Sequence, residues 1–85
     1  MRIYKQHLDT GMNKIRLPIG STFLSFKLQR GIPTVWFVQT DEETHSDRII
    51  EVLPTGAQVD FGHFKHLGTD ISEIGLIYHA LEILT

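Results

Sequence analysis

Thr22-Phe23-Leu24-Ser25-Phe26-Lys27-Leu28-Gln29-Arg30-Gly31-Ile32-Pro33-Thr34-Val35-Trp36-Phe37-Val38-Gln39-Thr40 is the stretch on which the fold turns. Its first half alternates, with Leu24, Phe26 and Leu28 on one side, which is the period of a half-buried strand. Arg30-Gly31 then interrupts two apolar runs. A two-residue connection with Gly second suits a type I′ turn, although Arg is not a preferred first residue there. That turn sets Gln29 opposite Ile32. Counting outward, Phe26 faces Val35 and Leu24 faces Phe37, and these residues form the expected core side. The opposite face carries Phe23, Ser25, Lys27, Thr34, Trp36 and Val38. A slip of one residue would exchange the two faces.

The same rhythm extends in both directions. Asp9-Thr10-Gly11, Pro18-Ile19-Gly20-Ser21, Pro54-Thr55-Gly56 and Gly68-Thr69-Asp70 punctuate runs rich in Ile, Val, Phe, Tyr and Thr. Short strands between turns are predicted, not helices. Arg2 to Leu8 and Asn13 to Leu17 read as an opening hairpin. Arg48 to Leu53 is another strand and Phe64 to Leu67 a short one. Gly75 to Leu84 is the last, with Leu76, Tyr78 and Ala80 on one face and Ile77, His79, Leu81 and Ile83 on the other. Both faces are apolar, so this strand should be central or covered on both sides. A helix over Asp70 to Leu84 competes, because Asp70 could cap it and Ile71, Ile74, Tyr78 and Leu81 have helical spacing. The β-branched content and Gly75 favour strand. Asp41 to Ser46 is a polar, acidic loop with room for one helical turn. The expected fold is mostly β: a small antiparallel meander or barrel-like sheet of six to seven strands, with one short helix as the exception.

Eighty-five residues make one domain, 1–85, with a modest core. Hydrophobic residues are 41% of the chain, too many for a disordered segment. Eight Lys and Arg against ten Asp and Glu give a formal charge of -2, which argues against a general nucleic-acid binder. No cysteine occurs, so disulfide scaffolds, thiolate nucleophiles and cysteine zinc sites are excluded. The start, Met1-Arg2-Ile3-Tyr4-Lys5-Gln6-His7, has no apolar core of a signal peptide. No run reaches the roughly 20 apolar residues of a membrane span. A soluble, cytoplasmic protein with no membrane partner is expected.

Neither a catalytic nor a metal site is expected. His63 and His66 are three apart, which on a strand sets them on opposite faces. His7, His45 and His79 are scattered, and no His-Glu-x-x-His occurs. His79, on an apolar strand face, reads first as a core histidine whose ring nitrogens find partners. No Ser lies in a Gly-x-Ser-x-Gly elbow, and there is no phosphate-cradling Gly-rich loop. No cofactor is implied. Trp36 is more informative, beside Ser25, Lys27 and Thr34. Such a set can stack a base and hold an anion, form half of a dimer face, or make a second core layer. Thr55 and the turn amides around Gly56 could take a phosphate, as could Gly68-Thr69, although turn formation alone explains both phrases.

Read in order, the chain resembles a family of short phage-encoded proteins. The resemblance is carried by Ile3-Tyr4-Lys5, Leu17-Pro18-x-Gly20, Gln29-Arg30-Gly31-x-Pro33-x-x-Trp36, the acidic segment after Thr40, Pro54-Thr55-Gly56, His66-Leu67-Gly68-Thr69 and Gly75-Leu76-Ile77-Tyr78-His79. Pro54 stands where Gly-Thr-Gly is expected, which bears on any glycine-dependent backbone approach there. The chain is similar in type to the small oligomeric phage proteins that sequester cyclic nucleotides used as immune signals by the bacterial host. The resemblance implies a non-enzymatic, homo-oligomeric nucleotide sponge in the cytoplasm of an infected bacterium, with a cyclic dinucleotide as the expected ligand. In such a site Trp36 stacks a base near Thr34, Lys27 or Arg48 faces phosphate, Thr55, Gly56 and Thr69 supply contacts, and His66 closes the pocket. The alternative is a protein–protein module that inhibits a host protein or takes part in phage assembly, using Trp36 and Phe23 as its apolar patch.

Overall fold

The structure, a computed structural model, describes residues 1–84. Its strands are β1 (Arg2–His7), β2 (Gly11–Pro18), β3 (Thr22–Gln29), β4 (Ile32–Gln39), β5 (His45–Pro54), β6 (Phe64–Ile71) and β7 (Ile77–Ile83), with no helix among the described residues. They form two antiparallel sheets, one ordered β1-β4-β3 and the other β2-β5-β7-β6. The mostly β architecture expected from the turn spacing is therefore the observed one. Residues 70–84 hold the end of β6, a turn with Gly75 at a φ of 86°, and β7, so the competing helix is not formed. β7 lies between β5 and β6, as its two apolar faces require.

The central hairpin is joined by Arg30 and Gly31 at φ values of 53° and 80°. Two successive positive angles mark the type I′ turn, and Gln29 pairs with Ile32 and Phe26 with Val35 as counted from it. The count fails further out. A bulge between Phe23 and Ser25 sets Phe23, not Leu24, opposite Phe37. Leu24 is expelled to 50% exposure, and the Phe23 ring meets Phe37 edge-on with centroids 6.2 Å apart. The bulge's extra residue re-aims the side chains beyond it, and the larger aromatic is the one that turns inward.

The opening pair is also corrected. β1 pairs with β4 and β2 with β5, so they lie in different sheets instead of forming a hairpin. The Leu8 amide continues the β4 ladder by donating to the Pro33 carbonyl at 2.8 Å. The chain then turns sharply at Gly11, with φ 97°. Asn13 holds this corner, accepting from the Asp9 amide at 2.8 Å and donating to the Asp9 carbonyl at 2.9 Å. A tight corner that exchanges sheets has the same turn residues as a hairpin, and only the tertiary pairing separates them.

Leu8, Ile15, Leu17, Phe26, Val35, Phe37, Ile50, Val52 and Ala80 fill the space between the sheets. On the β6 side the layers close tightly. A side chain on Gly68 would place its Cβ 3.0 Å from Phe26 Cβ and 3.1 Å from the Phe26 carbonyl oxygen. Asp70, also on β6, accepts the Leu28 amide of β3 at 2.9 Å and so bridges the two sheets.

Candidate functional site

The residues read from the sequence as one pocket lie in three places. Arg48 is inside the fold. Its guanidinium donates to both carboxylate oxygens of Glu82, at 2.6 and 2.8 Å, and to the Ser21 carbonyl. It also lies 4.4 Å from the Phe23 ring centroid, a cation–π distance. The bulge that turns Phe23 inward supplies this partner. Arg48 is thus committed to the core and not brought to the other candidate residues.

Trp36, Lys27 and Thr34 lie together on the outer face of the three-stranded sheet. The registers give its rows: Ile3, Val38 and Thr22; then Lys5, Trp36 and Ser25; then His7, Thr34 and Lys27. Thr34 is fully buried. Its hydroxyl donates to the Ile32 carbonyl at 2.9 Å and meets His7 Nδ1 at 2.9 Å. Thr34 thus holds the His7 ring and presents no exposed surface of its own. Lys5, His7, Gln29, Arg30 and Ile32 enclose a depression of about 300 Å³ at one end of this face. Lys5 Nζ donates to Gln29 Oε1 at 2.8 Å across its floor.

Charge distinguishes this face. β1, β3 and β4 contain Arg2, Lys5 and Lys27 and no Asp or Glu. None of Lys5, Lys27 and Arg30 forms a salt bridge among the described residues. Lys27 acts on Asp70, whose carboxyl is held below its ordinary pKa first by the Leu28 amide, then by the Ile71 amide, and to a smaller extent by Lys27. Lys5, His7 and Arg30 are candidate residues that the sequence alone does not single out. A signal was present: residues 1–40 hold six of the eight Lys and Arg but one of the ten Asp and Glu, namely Asp9. The erroneous β1–β2 hairpin had placed Lys5 and His7 away from Trp36.

Thr55, Gly56, His66 and Thr69 meet on the opposite side of the molecule, on the outer face of the four-stranded sheet. Leu81 and Ile83 point to this face yet are buried, at 6% and 7% exposure. The segment 55–63 folds across it. Beneath that segment lies a cavity of about 260 Å³ lined by Leu53, Pro54, Thr55, Gly56, Ala57, Val59, Phe64, His66, His79 and Leu81. Cross-strand pairing brings Leu53, His79 and Thr69 into one row and Glu51, Leu81 and His66 into the next. A string of hydrogen bonds results. Thr55 Oγ1 lies 2.8 Å from His79 Nε2, His79 Nδ1 lies 2.8 Å from Thr69 Oγ1, and Thr69 Oγ1 lies 2.8 Å from His66 Nε2. Both ring nitrogens of His79 are partnered, as expected for that residue. The Thr55 and Ala57 amides are already given to the Ile77 and Pro54 carbonyls, so the turn is not an open anion nest.

The chain belongs to the family described as a domain of unknown function, DUF7352, whose model matches residues 1–83. Neither the curated proteins nor the solved structures give a match.

Proposed function

We propose that the outer face of the three-stranded sheet binds an anionic nucleotide, with the base on Trp36 and the phosphate in the depression between Lys5, His7 and Arg30. The observation that carries this reading is the set of cations, without a carboxylate in the same strands, around the single tryptophan. An indole face stacks any base, and a guanidinium and an ammonium supply the charge-assisted hydrogen bonds that phosphate oxygens accept. Lys27, across Thr34 from His7, extends the cationic row. The chain holds its ligand without transforming it, and in an infected bacterium such holding would sequester a nucleotide immune signal, a cyclic dinucleotide in the finer form of the proposal. Two copies facing each other would enclose a ligand of that size more fully than one.

Because Trp36 is the only tryptophan, its fluorescence reads the site directly. Titration with cyclic dinucleotides should quench it. Lys5→Ala and Arg30→Ala should each weaken binding by about tenfold, the equivalent of roughly 1.4 kcal/mol, and added salt should weaken it further. Heat denaturation of the complex should return intact ligand. Absence of binding to every cyclic di- and trinucleotide at micromolar concentration would refute the reading, and recovery of a hydrolysed product would replace sequestration by catalysis.

Ile3 at 65% and Ile32 at 45% exposure on the same face favour a second reading, an interface for a protein partner. A stoichiometric protein retained from host lysate, with no small molecule co-purifying and no quenching by nucleotides, would favour it over the first.

A further inference from the structure

The cavity beneath segment 55–63 has a chemistry opposite to that of the tryptophan face. No Asp, Glu, Lys or Arg lines it. Glu51, the carboxylate nearest by register, lies across Leu81 from His66 and is not part of the lining. A charged ligand would find no opposite charge in that lining with which to form a charge-assisted hydrogen bond, so the fitting ligand is uncharged. The walls, Leu53, Val59, Phe64 and Leu81, suit a flat apolar body. About 260 Å³ lies just under the roughly 300–1,000 Å³ of sites for drug-sized molecules, which limits that body to a small ring system.

The polar string specifies what the ring must carry. A hydroxyl has one proton to donate and a neutral imidazole one N–H, so the string has two complete arrangements. In the first, Thr55 donates to His79 Nε2, His79 Nδ1–H to Thr69, and Thr69 to His66 Nε2. This leaves His66 Nδ1–H as a donor and the Thr55 oxygen as an acceptor. In the second, His66 Nε2–H donates to Thr69, Thr69 to His79 Nδ1, and His79 Nε2–H to Thr55. Now His66 Nδ1 accepts and the Thr55 hydroxyl donates. The two ends, both in the cavity lining, are always of opposite kind and invert together. Thr69, which lies outside the lining, is the coupling between them.

We infer that this cavity is a second binding site, for a small, uncharged, planar heterocycle that carries both a hydrogen-bond donor and an acceptor, of the cyclic-amide class. The string adjusts its protons to either orientation of the ring. The site is on the other sheet from Trp36 and stands or falls independently of the nucleotide reading.

The test uses 2-pyridone as the probe, with benzoate as its charged counterpart, followed by NMR of the methyl groups of Val59 and Leu81 and of the ring nitrogens of His66 and His79. 2-Pyridone should shift the methyls and change the tautomers of both histidines together, while benzoate shifts neither. Thr69→Val keeps the side-chain shape and leaves the walls intact, yet should weaken 2-pyridone binding about tenfold, the effect of a lost hydrogen bond of normal strength. Thr55→Val provides the same test from the other end of the string should Thr69→Val disturb β6. No methyl shift at about 10 mM 2-pyridone, well above the millimolar affinity of a weak ligand, would overturn the inference. So would equal binding by both variants and the unsubstituted protein, or equal binding of benzoate.

Discussion

Replacing Arg48 by Met separates a structural from a ligand-binding role for the one arginine that sequence and structure place differently. Glu82 is 7% exposed and Arg48 21%. Without Arg48, the Glu82 carboxylate stays between the sheets with no cation, and breaking a buried pair in this way costs about 3–5 kcal/mol. Loss of the guanidinium from the Phe23 ring adds roughly 0.5–1 kcal/mol. Glu82→Leu should cost less, about 2–3 kcal/mol, because Arg48 keeps the Ser21 carbonyl and the Phe23 face and is nearer to water. Arg48→Met with Glu82→Leu removes both charges and should fall near neutral, since apolar replacement of a buried pair is often so. Eighty-five residues at roughly 0.05–0.15 kcal/mol each give a total stability of about 4–13 kcal/mol, so Arg48→Met alone brings the protein close to unfolding. Urea unfolding followed by Trp36 fluorescence and far-UV circular dichroism measures all three variants. The reasoning is refuted if Arg48→Met costs under about 1 kcal/mol, or if the double variant is as unstable as Arg48→Met. Nucleotide titration of the double variant completes the experiment: affinity equal to that of the unsubstituted protein is expected, and its loss would return Arg48 to the binding site.

Gly68→Ala should destabilise by about 1–3 kcal/mol through overpacking, because its Cβ would lie 3.0 Å from Phe26 Cβ and 3.1 Å from the Phe26 carbonyl oxygen and force the β3 backbone to shift; a stability unchanged in urea melts would show that β3 and β6 are not tightly apposed. Asp70 makes stability depend on acid. Its folded-state pKa lies below the ordinary 3.8, so its contribution is complete above that value and is lost as pH falls through the folded value. Stability curves of the unsubstituted protein and Asp70→Asn should therefore run parallel above about pH 5 and converge below 3.8; curves that diverge on acidification would contradict the bond to the Leu28 amide.

How far each prediction could be read from sequence depends on the range of the interactions behind it. The Arg30-Gly31 turn is local, and so the pairing of Gln29 with Ile32 and of Phe26 with Val35 was legible. The two apolar faces of β7 were legible too, because a near-continuous apolar run needs no partner to be seen. The bulge at Leu24 was not. It goes with the Arg48 guanidinium, held by Glu82 and set over the Phe23 ring, and that contact joins residues 23, 48 and 82. No window of sequence contains all three. The same argument applies to the strand partners of β1 and β2, which a corner at Gly11 and a hairpin at Gly11 would present with identical composition.

The candidate site was legible by type and not by place. Trp36 and its hydroxyl and cationic neighbours were found because they share one hairpin, while Lys5 and His7 reach the same face only through the β1–β4 ladder. Thr55, Gly56, His66 and Thr69 come together on the other sheet, whereas the sequence reading assigned them to the Trp36 pocket, which required one concave surface. Two sheets back to back present two outer faces, and a residue on one cannot reach the other. The division has a chemical consequence. Cations gathered on one face and an uncharged, amphiprotic cavity on the other would select different ligands, so the two proposed ligands, a nucleotide on Trp36 and a neutral heterocycle beneath segment 55–63, would not compete. Simultaneous titration should therefore give additive signals, with Trp36 quenching unaffected by saturating 2-pyridone. Mutual displacement would require a coupling through the shared core, where Phe26 leaves no space for a side chain on Gly68.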